Sequence, residues 1–82
     1  MNDDLGPDLR RHVLDLRGLK CPLPVLHTRK TLRRLPRGAA LEVLCTDPLA
    51  GIDVPNLVRE SGDVLLAADR RGPAWRFVIR KA

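Results

Sequence analysis

The chain has 82 residues, enough for one small domain with one core, and 44% of them are hydrophobic. Its formal net charge is +5, and its only cysteines are Cys21 and Cys45, fewer than a disulfide-stabilised secreted domain usually has. No stretch approaches the roughly 20 apolar residues of a membrane span, and the acidic residues 1–4 do not resemble a signal peptide. We therefore expect a cytoplasmic protein with reduced thiols and no membrane association.

The first predicted elements are a flexible arm and a short strand. Residues 1–11 mix Asp, Gly, Pro and Arg without a period, so we expect a flexible N-terminal arm, followed by a single domain over residues 12–82. Residues 12–16 alternate between apolar and more polar positions with the period of two that is typical of a strand. Arg17 and Gly18 are expected to end this strand.

A helix is predicted over residues 22–35. Apolar residues recur there at helical spacing, and basic residues cover the remaining surface and the last turn, where cations complement the helix dipole. Pro36 and Gly38 are expected to end the helix. The side predicted to be apolar includes Val25, Leu26, Arg29, Leu32 and Leu35.

A second strand and a second helix follow. Residues 41–46 alternate, with Leu41, Val43 and Cys45 on the same side. The second helix is expected to begin near Asp53, because aspartate is a good N-cap and the following Pro55 is tolerated only in a first turn. Its predicted C-terminal stop is Gly62. Its predicted apolar face consists of Ile52, Leu57 and Val58.

Two more strands complete a β-α-β-α-β-β order. They are predicted over residues 64–68 and 75–80, with a turn over residues 69–73 between them. The first β-α-β unit predicts parallel strands, and the short final turn predicts an antiparallel hairpin. Since each helix has one apolar stripe and strands one and four have a polar side, both helices should cover the same sheet face. We predict an α/β two-layer sandwich with a four-stranded mixed sheet and two helices on one face.

The strongest candidate for chemistry is Cys21, which stands directly before the first predicted helix and is followed by Pro22 and Pro24. A residue before proline avoids helical dihedrals, so the helix is expected to start at Pro22 or, since Leu23 also precedes a proline, at Pro24. Either start places Cys21 at the helix N-terminus. The helix dipole and the nearby cations Arg17 and Lys20 are expected to lower the pKa of its thiol. A cysteine that merely happens to start a helix is the alternative, but the second proline and the preceding Arg-Gly turn favour an exposed, activated nucleophile.

Three short blocks occur along the chain in a fixed order. They are Asp15-x-Arg17-Gly18-x-x-Cys21-Pro22-x-Pro24, Thr46-Asp47-Pro48 and Asp53-x-Pro55. In order and spacing they resemble the signature of the TusA/SirA family of sulfur carriers, and the resemblance extends over residues 12–80. One departure is Asp63, which stands where many relatives have a histidine after the glycine that ends the second helix.

The resemblance implies a two-layer α/β sandwich and a transient persulfide on Cys21, with no other cofactor. The protein would be a sulfurtransferase in the sense of a persulfide carrier, without independent turnover. Sulfur would arrive from a cysteine desulfurase or a rhodanese-like donor. It would leave to an acceptor protein in tRNA thiolation, molybdenum-cofactor formation or sulfur metabolism.

Several other residues are assigned roles around this site. Arg29 and Arg33 on the first helix are expected to dock protein partners, because complementary charge raises association rates and fixes orientation. Asp47 ends the second strand at the same sheet edge as Cys21, where it either shapes the sulfur site or only bonds within its own turn. The residues predicted to support the cysteine are Arg17, Gly18, Lys20, Pro22, Pro24 and Asp47.

Three alternatives complete the predictions. Cys45 is expected to be a buried strand residue, and the alternative is a resolving thiol for Cys21. No metal site is predicted, because His12 and His27 make no zinc-binding spacing with the cysteines. The rival function is a basic nucleic-acid or ribosome-associated module. Direct nucleic-acid binding is disfavoured, because the chain has few aromatic residues on which bases could stack.

Overall fold

The computed structural model describes residues 11–82. The element order β-α-β-α-β-β is confirmed. The elements are β1 (Arg11–Leu16), α1 (Leu23–Arg34), β2 (Ala40–Cys45), α2 (Ala50–Ser61), β3 (Val64–Arg71) and β4 (Ala74–Arg80). The predicted arm lies outside the described residues, except for residue 11, with which β1 begins. Neither of the helices within residues 11–82 has the length and apolar character needed to cross a membrane.

The four strands form one mixed sheet in the order β1-β2-β4-β3. As predicted, β1 and β2 are parallel, and β3 and β4 form an antiparallel hairpin. Leu16 at the end of β1 pairs with Cys45 at the end of β2. The loops that follow these two strands therefore leave the sheet side by side at one edge, which brings the segment around Cys21 next to the segment around Asp47.

One core fills the space between the sheet and both helices, as expected for a two-layer sandwich. Its fully buried side chains on the sheet include Leu41, Val43, Phe77 and Ile79. Each such side chain contributes roughly 1.5–3 kcal/mol of burial free energy. The predicted burial of Cys45 is confirmed, since its exposed fraction is 0%.

The opposite sheet face has a charged centre. Arg76 on β4 donates to Glu42 Oε2 of β2 at 2.9 Å and to Asp69 Oδ2 of β3 at 3.1 Å. These contacts link the three strands on the side away from the helices. The hairpin turn predicted over residues 69–73 is wrong in its extent, because β3 continues to Arg71. Asp69 is held in the strand by Arg76, and the Arg70 guanidinium lies 4.9 Å from the centroid of the Trp75 ring.

The buried face of α1 differs from the predicted one. Pro24, Thr28 and Leu32 are buried, whereas Leu26 is 48% exposed. A prediction based on the spacing of apolar residues misses Thr28, because its side chain carries a hydroxyl. Its hydroxyl donates to the Pro24 carbonyl at 2.7 Å, which satisfies the polar atom inside the core.

The start of α2 was also predicted wrongly. The helix begins at Ala50 with Leu49 as its N-cap, so Asp53 lies in the first turn and Pro55 lies inside the helix. Ile52 is 62% exposed and does not belong to the apolar face. The buried residues of α2 are Ala50, Val54, Leu57 and Val58. Their packing outweighs the one hydrogen bond that Pro55 cannot make, and the predicted stop at Gly62 is confirmed by its left-handed φ of 82°.

Candidate functional site

Cys21 lies in the loop between β1 and α1, and its side chain is exposed. The N–H of Leu23 donates to the Lys20 carbonyl at 2.9 Å, which closes a turn around Cys21 and Pro22. The peptide bond between these two residues is cis. The N-cap of α1 is Pro22 and the helix begins at Leu23, between the two predicted starts, so Cys21 lies just before its N-terminus as predicted.

The loop before Cys21 is fixed to the loop after β2. Gly18 has a φ of 89°, a left-handed conformation that favours glycine. Its N–H donates to Thr46 Oγ1 at 2.9 Å, and the Leu19 N–H donates to the Leu16 carbonyl at 3.2 Å. The Arg-Gly turn therefore gives the cysteine segment a defined exit from β1.

Asp47 makes the closest polar contact with the cysteine segment. Its Oδ2 accepts the Cys21 N–H at 2.6 Å, and its Oδ1 accepts the Leu49 N–H at 3.2 Å. The side chain is only 8% exposed. Asp47 therefore does both things that the sequence left open: it bonds within its own turn, and it holds the backbone of Cys21.

A second carboxylate, which the sequence analysis did not place at the site, contacts the sulfur itself. The Cys21 thiol donates to Asp53 Oδ2, with 3.4 Å between sulfur and oxygen. Asp53 belongs to the first turn of α2, so its side chain points to the edge at which Cys21 lies. The Asp53-x-Pro55 block was the available signal, but treating Asp53 as an N-cap hid its role.

The electrostatic surroundings raise the pKa of the Cys21 thiol, so the expected lowering is wrong for this conformation. The main cause is the hydrogen bond to Asp53, followed by burial and by the negative charges of Asp53 and Asp47. A thiolate between two carboxylates is destabilised, because like charges favour the protonated form.

Arg17, one of the two cations expected to activate Cys21, is occupied elsewhere. Its guanidinium donates to both carboxylate oxygens of Asp15, at 2.9 and 2.8 Å. This hydrogen bonding lowers the pKa of Asp15 to about 2. The other cation, Lys20, lines a surface groove together with Cys21.

Cys21 lies on the border of two grooves. The first, which we call the seam groove, runs between α1 and α2 and has a volume of about 190 Å³. It is lined by Cys21, Pro22, Val25, Arg29, Asp53, Asn56, Leu57 and Glu60. The second, the loop groove, lies on the other side of the cysteine and is lined by Gly18, Leu19, Lys20, Cys21, Thr46, Asp47 and Pro48. An incoming group can therefore reach the sulfur from either side.

The two arginines predicted to dock partners occupy different positions. Arg29 lines the seam groove with Cys21. Arg33 does not, but both arginines line a further cavity of about 320 Å³ between the C-terminal halves of the helices. We call this the distal groove, and Lys81 also lines it. Since Arg29, Leu57 and Glu60 line both, the seam and distal grooves form a continuous depression leading away from Cys21.

Comparison with known proteins identifies the family. A family model described as sulfurtransferase TusA matches residues 12–81. The chain is also 36% identical over 69 residues to the sulfur carrier protein TusA of Allochromatium vinosum, a match that covers 84% of this chain and 91% of that relative. The chain belongs to the TusA family. The family expected from the sequence blocks is thereby confirmed.

The blocks that resembled the TusA family signature converge in space. Arg17 of the first block is paired with Asp15 and does not contact Cys21. The backbone of Cys21 contacts Asp47 of the second block, and its sulfur contacts Asp53 of the third. Residues separated by 26 and 32 positions thus meet at one cysteine, Asp47 at its backbone N–H and Asp53 at its sulfur. The shared edge of the parallel strands β1 and β2 and the N-terminal end of α2 explain this convergence.

Asp63, which the sequence analysis singled out, lies away from the cysteine. Asp63 Oδ2 accepts the Ser61 hydroxyl at 2.7 Å, and Asp63 Oδ1 accepts the Ala82 N–H at 2.9 Å. Asp63 therefore ties the start of β3 to the residues after β4. Asp63 also lines the distal groove, and it is not one of the residues hydrogen-bonded to Cys21.

Proposed function

We propose that this TusA-family chain is a sulfur carrier that holds a persulfide on Cys21. The observation that carries the proposal is the contrast between its two cysteines: Cys21 is exposed, whereas Cys45 is fully buried. Burial also raises the pKa of the Cys45 thiol to about 11. Because the thiolate is the reactive form of cysteine, Cys21 is the thiol that a partner can reach and use.

Loading requires one exchange at sulfur. The Cys21 thiol loses its proton, and the thiolate attacks the terminal sulfur of a donor cysteine persulfide. A bond forms between Cys21 Sγ and that sulfur, the S–S bond of the donor breaks, and the donor leaves as a thiolate. Discharge is the same exchange with an acceptor thiolate as the attacking group. The carrier returns to its starting state without turnover of its own, and no further cofactor is needed.

The proposed partners are proteins that carry reactive sulfur. The donor is a cysteine desulfurase or a rhodanese-like enzyme, and the acceptor belongs to a relay for tRNA thiolation, molybdenum-cofactor formation or sulfur metabolism. Such exchange needs reduced thiols, which fits a cytoplasmic location. Arg29 and Arg33 support docking at this side of the molecule, because they line the depression that begins at Cys21.

The rival function in nucleic-acid binding gains no support from the aromatic residues. Phe77 is fully buried, and the Trp75 ring stacks on it with 5.7 Å between centroids. Trp75 also packs against Gly51. These two are all the aromatic residues in the chain, and neither offers a free platform for a base.

Incubation with a cysteine desulfurase and free cysteine, followed by intact mass measurement, tests the proposal. We expect one added sulfur atom, removable by reductant, on the wild type and on Cys45→Ala, and none on Cys21→Ser. Serine nearly keeps the size of the side chain, but its hydroxyl is far too weakly acidic to ionise. Equal loading of Cys21→Ser would refute the role of Cys21. If no protein is loaded, the same three proteins are incubated with a rhodanese and thiosulfate, and failure with both donors counts against the proposal.

A further inference from the structure

The contact between Cys21 and Asp53 suggests a role for the carboxylate that goes beyond holding the loop. Within residues 11–82, the Cys21 thiol is the only hydrogen-bond donor to the Asp53 side chain, at 3.4 Å. The oxygens of Asp47, in contrast, each accept a backbone N–H. Asp47 therefore fixes the main chain, whereas Asp53 acts on the sulfur.

The charges that face Cys21 come from all the segments around it. Asp53 and Glu60 of α2 and Arg29 of α1 line the seam groove with the cysteine. Asp47 and Lys20 line the loop groove on the other side. Asp53 is the charged group in direct contact with the sulfur atom, and the pKa of the thiol is raised chiefly by its hydrogen bond. The cations of the two grooves do not reverse this effect.

We propose that Asp53 keeps Cys21 protonated in the free carrier and makes the loaded carrier retain its sulfur against small thiols. The proposal rests on the proposed function of Cys21 as the persulfide site. Asp53 qualifies as a functional residue because it touches the reacting atom. Its effect applies both to the thiol before loading and to the same sulfur atom when it becomes the leaving group.

The effect on retention follows from the chemistry of discharge. An attacking thiolate forms a bond with the terminal sulfur of the Cys21 persulfide, and the bond between that sulfur and Cys21 Sγ breaks. The electron pair of the broken bond goes to Sγ, which then takes a proton from water. The exchange involves no net oxidation or reduction, because the transferred sulfur moves from one thiol to another. A leaving thiolate that is disfavoured by its surroundings departs more slowly. Sγ of the persulfide has no proton to donate, so the negative charge of Asp53, 3.4 Å from the sulfur, is what opposes the departing thiolate.

The pH dependence of alkylation by iodoacetamide tests the contact directly. All proteins carry Cys45→Ala, so that Cys21 is the only thiol, and Asp53→Asn is compared with the unsubstituted protein. Glu60→Gln is the matched control, because it removes one negative charge from the same groove at a residue not hydrogen-bonded to the sulfur. We expect Asp53→Asn to shift the alkylation midpoint to lower pH and to raise the rate at pH 7 several-fold. Glu60→Gln should leave the midpoint nearly unchanged.

The plateau at high pH separates an electronic effect from altered access. A thiolate with a lower pKa is intrinsically less nucleophilic, with a Brønsted slope of about 0.4–0.5. We therefore expect the plateau rate of Asp53→Asn to fall while its rate at pH 7 rises. A variant that only opens the site would raise both rates. An unchanged midpoint in Asp53→Asn, or equal shifts in both variants, would overturn the proposal.

Retention is measured on protein loaded with inorganic polysulfide and freed of excess reagent. Dithiothreitol is then added, and the remaining persulfide is followed by intact mass. We expect Asp53→Asn to lose its sulfur several-fold faster than the unsubstituted protein or Glu60→Gln. Equal loss would overturn the retention role. Failure of a desulfurase to load the wild type would count against the proposed function, but it would not change the alkylation test.

The fluorescence of Trp75 shows whether α2 is still in place in these variants. Trp75 packs against Gly51, which lies two residues before Asp53. An altered emission spectrum in Asp53→Asn would mean that the helix has moved. In that event Asp53→Ser, which also removes the charge, replaces it, and the same shift in alkylation midpoint is expected.

Discussion

The backbone N–H of Cys21 donates to Oδ2 of Asp47 across 2.6 Å, which joins the loop after β1 to the loop after β2. Because β1 and β2 are parallel and end together, this bond needs only short loops. The same carboxylate accepts the Leu49 N–H at the start of α2. One largely buried side chain thus sets the position of the cysteine relative to the helix that carries Asp53.

Asp47→Ala should destabilise the protein. The substitution removes both backbone hydrogen bonds, and a hydrogen bond to a charged group contributes a net of about 1.5–3 kcal/mol. Both bonds are only part-buried, so water can replace some of what is lost. We expect the free energy of unfolding to fall by about 2 kcal/mol, as measured by urea denaturation followed through Trp75 fluorescence. Asp47→Asn keeps one acceptor oxygen and should lose less. Wild-type stability in Asp47→Ala would show that the contact is dispensable.

Gly51→Ala should also be destabilising, although glycine to alanine in a helix usually stabilises by about 0.4–1 kcal/mol. A Cβ at residue 51 would lie 2.5 Å from Cζ2 of Trp75, so the ring or the helix must move. Overpacking of this kind costs about 1–3 kcal/mol. Thermal unfolding followed by circular dichroism measures the effect.

The cost of Gly51→Ala should depend on the indole ring. In a Trp75→Leu background the smaller side chain leaves room for the new methyl group. The same glycine substitution should then be neutral or stabilising, which gives a large coupling in a double-mutant cycle. An equal cost in both backgrounds would mean that the clash with Trp75 is not the cause.

Cys45 should contribute to the loss of stability at high pH. Burial raises the pKa of its thiol from 9.0 to about 11, so the folded state favours the neutral form. The contribution is fully present below pH 9 and is lost as the pH rises towards 11, because the unfolded chain ionises first. A shift of this size corresponds to roughly 2–3 kcal/mol. The stability of the wild type relative to Cys45→Ala, measured by urea denaturation from pH 8 to 11, should fall over that window. A constant difference would contradict the prediction.

The features that could be predicted from the sequence are those governed by local pattern. Cys21 and Asp47 were predicted to lie at one sheet edge, because each follows one of the two parallel strands β1 and β2. The burial of Cys45 followed from its alternation with Val43. These predictions hold because the pleat of a strand assigns each side chain to one face.

The predictions that failed depend on contacts between distant residues. Thr28 is buried because its hydroxyl bonds within α1, which its residue type does not indicate. Asp53 was treated as an N-cap because Pro55 favours a first turn, but α2 begins three residues earlier, at Ala50, whose side chain is buried in the core. The direction of the Cys21 pKa shift then could not be predicted, since its main cause is a residue 32 positions away.

Charge reversal at Arg33 should slow sulfur transfer from a desulfurase without altering the chemistry of Cys21. Arg33 lines the distal groove but not the seam groove that contains the sulfur. Reversing such a peripheral charge changes the association rate more than the reactivity of the thiol. We expect Arg33→Glu to lower the rate of Cys21 loading on the order of tenfold at low salt. The defect should become smaller at an ionic strength of about 1 M, where the Debye length is only about 3 Å.

Arg34→Glu is the matched control for this prediction. Arg34 is the next residue on α1 and is exposed, but it lines neither the seam groove nor the distal groove. It carries the same change in net charge, so a general effect of charge on association would slow both variants equally. We expect loading of Arg34→Glu to remain close to wild type, and we expect both variants to react with iodoacetamide at the wild-type rate. Equal slowing of the two variants would remove the distal groove from the docking surface, whereas a changed alkylation rate in Arg33→Glu would mean that the arginine acts on the sulfur.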